Sequence, residues 1–258
     1  MKLIILDRDG VINEDSDAFI KSPDEWIPLP SAIEAIAHLT QAGYTVVVAT
    51  NQSGLGRGLF NIDTLNAIHQ KMMHLVKAAG GTIAAILFCP HLPTDDCDCR
   101  KPRPGMFKTI GERFDVDLTG VPAVGDSLRD LQAAYLAGCT PYLVLTGKGT
   151  LTQEKGGTPP GTVVFDSLKA VAEHLIEQDR LSQVAADIPP TPPKKTETQG
   201  VDAEPKAKAK AAVKAKLASL ETQKPSRSTK KATASPKPTD MAPKKPRTRF
   251  RATTSKTQ

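Results

Sequence analysis

Along its first 186 residues the chain alternates short apolar runs with stretches whose apolar residues recur every three or four positions. The runs Leu3–Leu6, Tyr44–Ala49, Ile83–Cys89, Ala123–Val124, Tyr142–Leu145 and Val163–Phe165 predict strands, apolar on successive residues as strands covered on both faces are. Between them, helical spacing predicts helices over Ser31–Gln41, Ile62–Ala79, Phe107–Phe114, Leu128–Ala137 and Leu168–Gln178. Gly43 and the pair Gly80–Gly81 supply stops for the first two. Strand and helix in regular alternation predict an α/β domain, Rossmann-like, with a parallel sheet and helices on both faces. No segment is long enough for a large cap domain, so short loops must screen any substrate.

Past Ala186 the pattern stops. Residues 187–258 hold 10 of the 21 prolines, many lysines and one aromatic, Phe250. Such a composition buries too little apolar surface to offset ordering entropy, so a disordered basic tail is expected, with a transient helix over the lysine–alanine stretch 203–220. Charge divides at the same place. Residues 1–186 carry 16 Lys+Arg against 22 Asp+Glu, net −6, and residues 187–258 carry 18 against 6, net +12, together the chain's +6. The pI near 9.1 thus belongs to the tail, where weak polyanion binding is expected, and is no argument that the domain binds nucleic acid. No segment approaches the roughly 20 apolar residues of a membrane span, and the amino terminus lacks a signal-peptide core, so the expected location is the cytoplasm.

The predicted strands end on polar residues of a particular kind. Asp7-Arg8-Asp9-Gly10 follows the first strand, Thr50-Asn51-Gln52-Ser53-Gly54 the second, and Gly125-Asp126-Ser127-Leu128-Arg129-Asp130 the strand ending at Val124; Arg100-Lys101-Pro102 precedes the Phe107 helix. In a parallel sheet such segments converge on the carboxyl edge, where open α/β sheets bind ligands. Together they supply what phosphoryl transfer needs. Asp7 can attack phosphorus, and Asp9 can protonate the leaving alkoxide and later deprotonate water. Thr50 can hydrogen-bond phosphoryl oxygens, Lys101 can neutralise their charge, and Asp7 and Asp126 can hold Mg²⁺ with oxygen ligands. Each residue also has a plainer role open to it: Thr50 as a turn cap, Lys101 as solvated surface, Asp126 as the N-cap of the next helix. Arg57 can reach a second phosphate or lie in solvent, and the Gly54-x-Gly56-x-Gly58 run lacks dinucleotide-binding spacing.

Three of the four cysteines lie within eleven residues. Cys89-x-His91 and Cys97-x-Cys99 offer three thiolates and an imidazole, a complete tetrahedral set that predicts a structural Zn²⁺ and a zinc-stapled loop. Cys139 stands apart as a small buried residue.

The ordered set DRDG, TNQSG, RKP and GDSLRD resembles the four motifs of the haloacid dehalogenase-like phosphatases. The resemblance implies Asp7 as nucleophile, Asp9 as acid/base and carbonyl ligand of Mg²⁺, and Thr50 and Lys101 as phosphoryl stabilisers. It further implies Asp126 as the magnesium carboxylate, with Asp130 supporting it. The loop CPHLPTDDCDCRKP is similar to those of two families within that group, the phosphatases of D-glycero-D-manno-heptose 1,7-bisphosphate and of histidinol phosphate. Residues 10–26, TNQSGLGRGLF and RKPRPGMF favour the heptose family, and the tail cannot be the dehydratase fused to the histidinol enzyme. The resemblance then implies removal of the C7 phosphate of a heptose bisphosphate for the lipopolysaccharide core precursor. Asn51 and Arg100 join the substrate-binding set, the partner is a small sugar bisphosphate, and the working unit is a monomer. One departure is clear: Asp15-Ser16-Asp17-Ala18 stands where many heptose phosphatases carry His-Gly-Tyr.

Overall fold

The structure, a computed structural model, describes residues 1–187. The expectations of a disordered tail, a lysine–alanine helix and polyanion binding concern residues outside that range, Asp187 excepted.

Six parallel strands, β1 (Lys2–Leu6), β2 (Tyr44–Asn51), β3 (Ile83–Cys89), β4 (Pro122–Gly125), β5 (Thr140–Val144) and β6 (Val163–Phe165), form one sheet in the order β3-β2-β1-β4-β5-β6. The helices are α1 (Ala32–Gln41), α2 (Ser53–Gly56), α3 (Ile62–Ala78), α4 (Gly105–Phe114), α5 (Leu128–Leu136), α6 (Gly149–Lys155) and α7 (Leu168–Asp187). The Rossmann-like expectation holds, and the apolar runs show why. Alternate residues of one strand point to opposite faces. Ile4, Leu6, Val46 and Val48 pack with Ile36 and Leu39 of α1, Ile68 and Met72 of α3 and Val171 and Leu175 of α7. Leu3, Ile5, Val47 and Ala49 pack on the other face with Met106, Phe107 and Ile110 of α4 and Ala133 and Ala134 of α5. Both faces are dry, so neither can afford the polar alternation of a half-exposed sheet.

Strand order reverses between β1 and β4, where Leu6 pairs with Val124. A crevice opens at such a switch point outside the carboxyl ends. Chain between elements lies there too, chiefly residues 7–31 and 90–104, with no inserted domain. The first of these is anchored rather than draped. Trp26 is wholly buried, and Lys71 of α3 donates to the Pro23 and Trp26 carbonyls at 2.6 and 2.9 Å.

Local differences from the expected elements have local causes. The one-turn helix α2 contains two glycines among its four residues and α6 begins at one, so neither shows an apolar period. The last helix runs to Asp187 rather than Gln178, because its final turns are exposed and lack the apolar stripe by which a packed helix is recognised.

Candidate active site and metal centres

Asp7 directly follows β1, and its N–H continues the ladder by donating to the Val124 carbonyl at 2.9 Å. The chain then turns tightly: the N–H of Ile12 donates to the Arg8 carbonyl at 2.8 Å and that of Gly10 to the Asn13 carbonyl at 2.7 Å. Gly10 takes φ 81°, a left-handed conformation that costs glycine little. Across the switch point, Asp126 follows β4. The N-cap of α5 is Ser127, whose backbone N–H and hydroxyl both donate to Asp130 in a capping box. Asp126 is therefore free of capping, and its buried carboxylate lies beside that of Asp7. Gly10 and Gly147 crowd it from two sides, and a Cβ on either would collide with the Asp126 carboxylate.

Lys101 is no solvated surface residue. It is 2% exposed, its Nζ lying 3.0 Å from Asp7 Oδ1 and 2.7 Å from Asp130 Oδ1 while donating to the Ala49 carbonyl at 2.8 Å. Asn51 holds the lysine's main chain from both sides, accepting from the Lys101 N–H and donating to its carbonyl, each at 3.1 Å. Thr50 is buried beside this group and accepts from Gln52 Nε2 at 2.9 Å; the same nitrogen donates to Asp9 Oδ2 at 2.8 Å.

Carboxylate oxygens of Asp7, Asp126 and Asp130 all lie within 4.8 Å of one another. Burial pushes Asp7 up to about 7, with Asp130 and Asp9 adding to it and Lys101 opposing. Burial, then Asp130 and Asp7, push Asp126 up to about 8. Asp130 is instead lowered, because Lys101, Arg129 and the Ser127 hydroxyl outweigh its burial. Asp126 Oδ1 is buried with no hydrogen-bond partner. Crowded carboxylates, two of them raised, and one orphaned oxygen form a set that a hard divalent cation such as Mg²⁺ satisfies. Asp9 differs. Burial raises it, but the Arg8 guanidinium and hydrogen bonds from Asn13 and Gln52 more than offset that, so it is held below the usual carboxylate range.

A cleft of about 240 Å³ opens over these groups, lined by Asp7, Asp9, Thr50, Asn51, Arg57, Arg100, Arg129 and Lys148 along with the 15–20 loop. Lys148 donates its N–H to Asp126 Oδ2 at 2.8 Å and pairs its Nζ with Asp15 and Asp17 at 2.8 and 3.0 Å. Arg57 lies over the Phe19 ring, 5.7 Å from its centroid, so both the phosphate and the solvent roles considered for it stay sterically open.

The second cluster closes on itself. Cys89 Sγ lies 3.5 Å from His91 Nδ1, 3.6 Å from Cys97 Sγ and 3.3 Å from Cys99 Sγ. Cys99 Sγ lies 3.3 Å from His91 Nδ1 and 3.5 Å from Cys97 Sγ. Thiolates at about 2.3 Å from a tetrahedral Zn²⁺ would stand about 3.8 Å apart, so this spacing is near that of a zinc site and far from that of a disulfide. Arg100 bridges the two regions, donating from Nη1 to the His91 carbonyl at 3.1 Å while lining the cleft.

Sequence reasoning did not find Arg8, Asn13, Gln52 or Lys148, nor His69, whose Nε2 lies 3.3 Å from Arg8 Nη1. Gln52 sits inside the TNQSG segment and Arg8 between the two aspartates, but burial of a polar side chain leaves no trace in one sequence.

Comparison with known proteins agrees with this geometry. A HAD-hydrolase-like family model matches residues 98–171, and one for polynucleotide kinase 3 phosphatase matches residues 2–128. A D-glycero-beta-D-manno-heptose-1,7-bisphosphate 7-phosphatase of Bordetella bronchiseptica is 65% identical over 178 residues, 69% of this chain and 99% of the relative. One of Pseudomonas aeruginosa is 57% identical over 175 residues, 68% and 98% of the two chains. The crystal structure of the B. bronchiseptica D,D-heptose 1,7-bisphosphate phosphatase, complexed with magnesium and phosphate, superimposes with TM-score 0.69, covering 69% of this chain and 99% of that one. With relatives matched almost end to end, the chain belongs to the D-glycero-beta-D-manno-heptose-1,7-bisphosphate 7-phosphatase family of haloacid dehalogenase-like hydrolases.

Proposed function

We propose that this chain hydrolyses the C7 phosphate of D-glycero-beta-D-manno-heptose 1,7-bisphosphate, releasing phosphate and heptose 1-phosphate. What supports this most is the 65% identity to a phosphatase of that name across 99% of the relative's length. The site supplies the chemistry. An Asp7 oxygen attacks phosphorus, the P–O7 bond breaks, and an aspartyl-phosphate forms. Asp9 gives its proton to the departing O7, then takes one from the water that cleaves the acyl phosphate, returning Asp7 and freeing inorganic phosphate. Although Asp9 is held ionised in the free site, the negative phosphoryl group arriving beside it raises its proton affinity. Lys101 and Thr50 receive the equatorial oxygens, and Lys101 cannot drift because Asn51, Asp130 and Ala49 fix it. A Mg²⁺ held by Asp7, Asp126 and the Asp9 carbonyl would offset charge on the transferring group and allow Asp7 to ionise.

Cys89, His91, Cys97 and Cys99 would hold a structural Zn²⁺, which would fix the loop that presents Arg100 and supply no bond-breaking chemistry. Arg100, with Asn51 at the rim, selects for the sugar phosphate. Among the described residues no helix is long and apolar enough to cross a membrane; three of the four cysteines are grouped as metal ligands are, which fits a reducing cytoplasm. The basic residues 187–258 serve weak polyanion binding, and a chain ended after Ala186 keeps its kcat and KM, because no catalytic motif lies beyond Asp130.

The test is phosphate release from both heptose bisphosphate anomers, histidinol phosphate and simple sugar phosphates. A kcat/KM highest on a heptose 1,7-bisphosphate supports the reading, and preference for histidinol phosphate overturns it.

A further inference from the structure

Arg8 belongs to the first motif yet has no part in the chemistry above, and it is completely buried. Its guanidinium forks onto Asp9, with Nε 3.1 Å from Oδ1 and Nη2 2.9 and 3.0 Å from Oδ1 and Oδ2. The third nitrogen, Nη1, lies 3.3 Å from Nε2 of His69 on α3. A guanidinium has donors only, so His69 must accept at Nε2 and carry its ring proton on Nδ1. The ring is 6% exposed and sits beside Phe88, centroids 6.3 Å apart. Burial and the adjoining Arg8 push the imidazole down to about 4, against a smaller upward pull from Asp9, so it is a neutral acceptor at ordinary pH.

Without that acceptor, a buried Nη1 would lose its partner, and the guanidinium would gain by rotating towards another. Rotation breaks the fork. Asp9 would then keep only its bonds from Asn13 Nδ2 at 2.9 Å and Gln52 Nε2 at 2.8 Å, one to each oxygen. Neither can fix the carboxylate plane as a two-toothed guanidinium does.

Resting on the phosphatase reading, we infer that His69 is a positioning residue for the acid–base step: by accepting from Arg8 it fixes the guanidinium plane and so the orientation in which Asp9 meets the leaving oxygen. His69 touches neither substrate nor metal and acts only through Arg8. Any acceptor of suitable reach should replace it, and an apolar residue of similar bulk should not.

The experiment compares His69→Leu and His69→Gln in the full chain with Mg²⁺, on two substrates. Heptose 1,7-bisphosphate expels an alkoxide that needs a proton, whereas p-nitrophenyl phosphate expels a phenolate that hardly does. For His69→Leu, kcat/KM on the heptose ester should fall about 10–100-fold, the usual worth of a residue orienting a functional group, but less than about 3-fold on the aryl ester. His69→Gln should recover most of the loss. Arg8→Lys should reproduce the Leu phenotype, and the double variant should be no worse than either single one. Where His69→Leu fails to fold, His69→Met and the Arg8→Lys cycle carry the same comparison.

Equal losses on both esters, equal losses for Leu and Gln, or multiplying losses in the double variant would each overturn the inference. A wild-type chain that released no phosphate from either ester would overturn the phosphatase reading and the inference with it.

Discussion

Two polar clusters flank Arg100 and Lys101, and they are built on opposite plans. The carboxylates of Asp7, Asp126 and Asp130 come from two strand ends and the first turn of α5; Asp7 and Asp130 share a buried lysine, and Asp126 keeps a buried oxygen without a partner. The three thiols and one imidazole come from the end of β3 and the loop after it, all within eleven residues, and face one another. Long-range assembly leaves the first cluster open and electrostatically frustrated, and substrate chemistry needs that. Local assembly lets the second close, as a staple should. The cation expected in each differs accordingly: hard and exchangeable in one, soft and permanent in the other.

Asp7→Asn probes the open cluster most severely. Turnover should fall by at least about 10⁴-fold, since a carboxamide cannot form the acyl phosphate, while Asp9→Asn should cost about 10²–10⁴-fold. Near-normal turnover in Asp7→Asn would remove the covalent mechanism.

Lys101→Met comes next. It strips charge from the phosphoryl oxygens, worth about 10²–10³-fold in kcat, and strands Asp7 and Asp130, costing about 3 kcal/mol of folding stability. Chemical denaturation with and without Mg²⁺ reads the second effect; an unchanged midpoint would mean that the lysine is not holding the carboxylates.

The closed cluster should answer differently. Cys97→Ser should lower bound zinc from about one per chain and raise KM for the bisphosphate about 10-fold with little change in kcat, because only the presentation of Arg100 is loosened. Elemental analysis and steady-state kinetics check this, and wild-type protein purified without zinc would end the staple idea.

The smallest effect concerns pH. Asp7 and Asp126 sit near 7 and 8 when folded without metal, above their unfolded value. Their contribution to stability is full below the unfolded value and is lost as pH rises through 7 to 8. Added Mg²⁺ should therefore raise the melting temperature more at pH 8 than at pH 5.5, by a few degrees. The opposite order, seen in thermal melts, would mean that these carboxylates are not the cation's ligands.

How much of this could be read from the chain follows the same division. Cys89, His91, Cys97 and Cys99 are neighbours in sequence, so their spacing already states their geometry. The carboxylates proposed for catalysis became legible only through strand ends, since a parallel sheet brings such ends to one edge whatever lies between. Arg8, Gln52 and His69 stayed hidden, because their roles depend on which polar groups are buried together, and no periodicity reports that. The strand pattern was similarly plain because both faces are packed, while α2 and α6, short and glycine-bearing, left no apolar stripe to detect.

Gly10 and Gly147 are separated by most of the domain yet press on the same carboxylate. Their constraint is one of volume as much as of backbone freedom, and it binds both positions to Asp126 at once. No exchange at one can be rescued at the other, since both collide with the aspartate and a Cβ at 147 would also meet the Gly10 Cα. Anyone retuning this cleft for another phosphate ester by random mutagenesis should hold 10, 126 and 147 as a fixed triplet. Diversity belongs at the rim, around Phe19 and Arg57, where side chains meet solvent and a library can be spent without disturbing the proposed cation site.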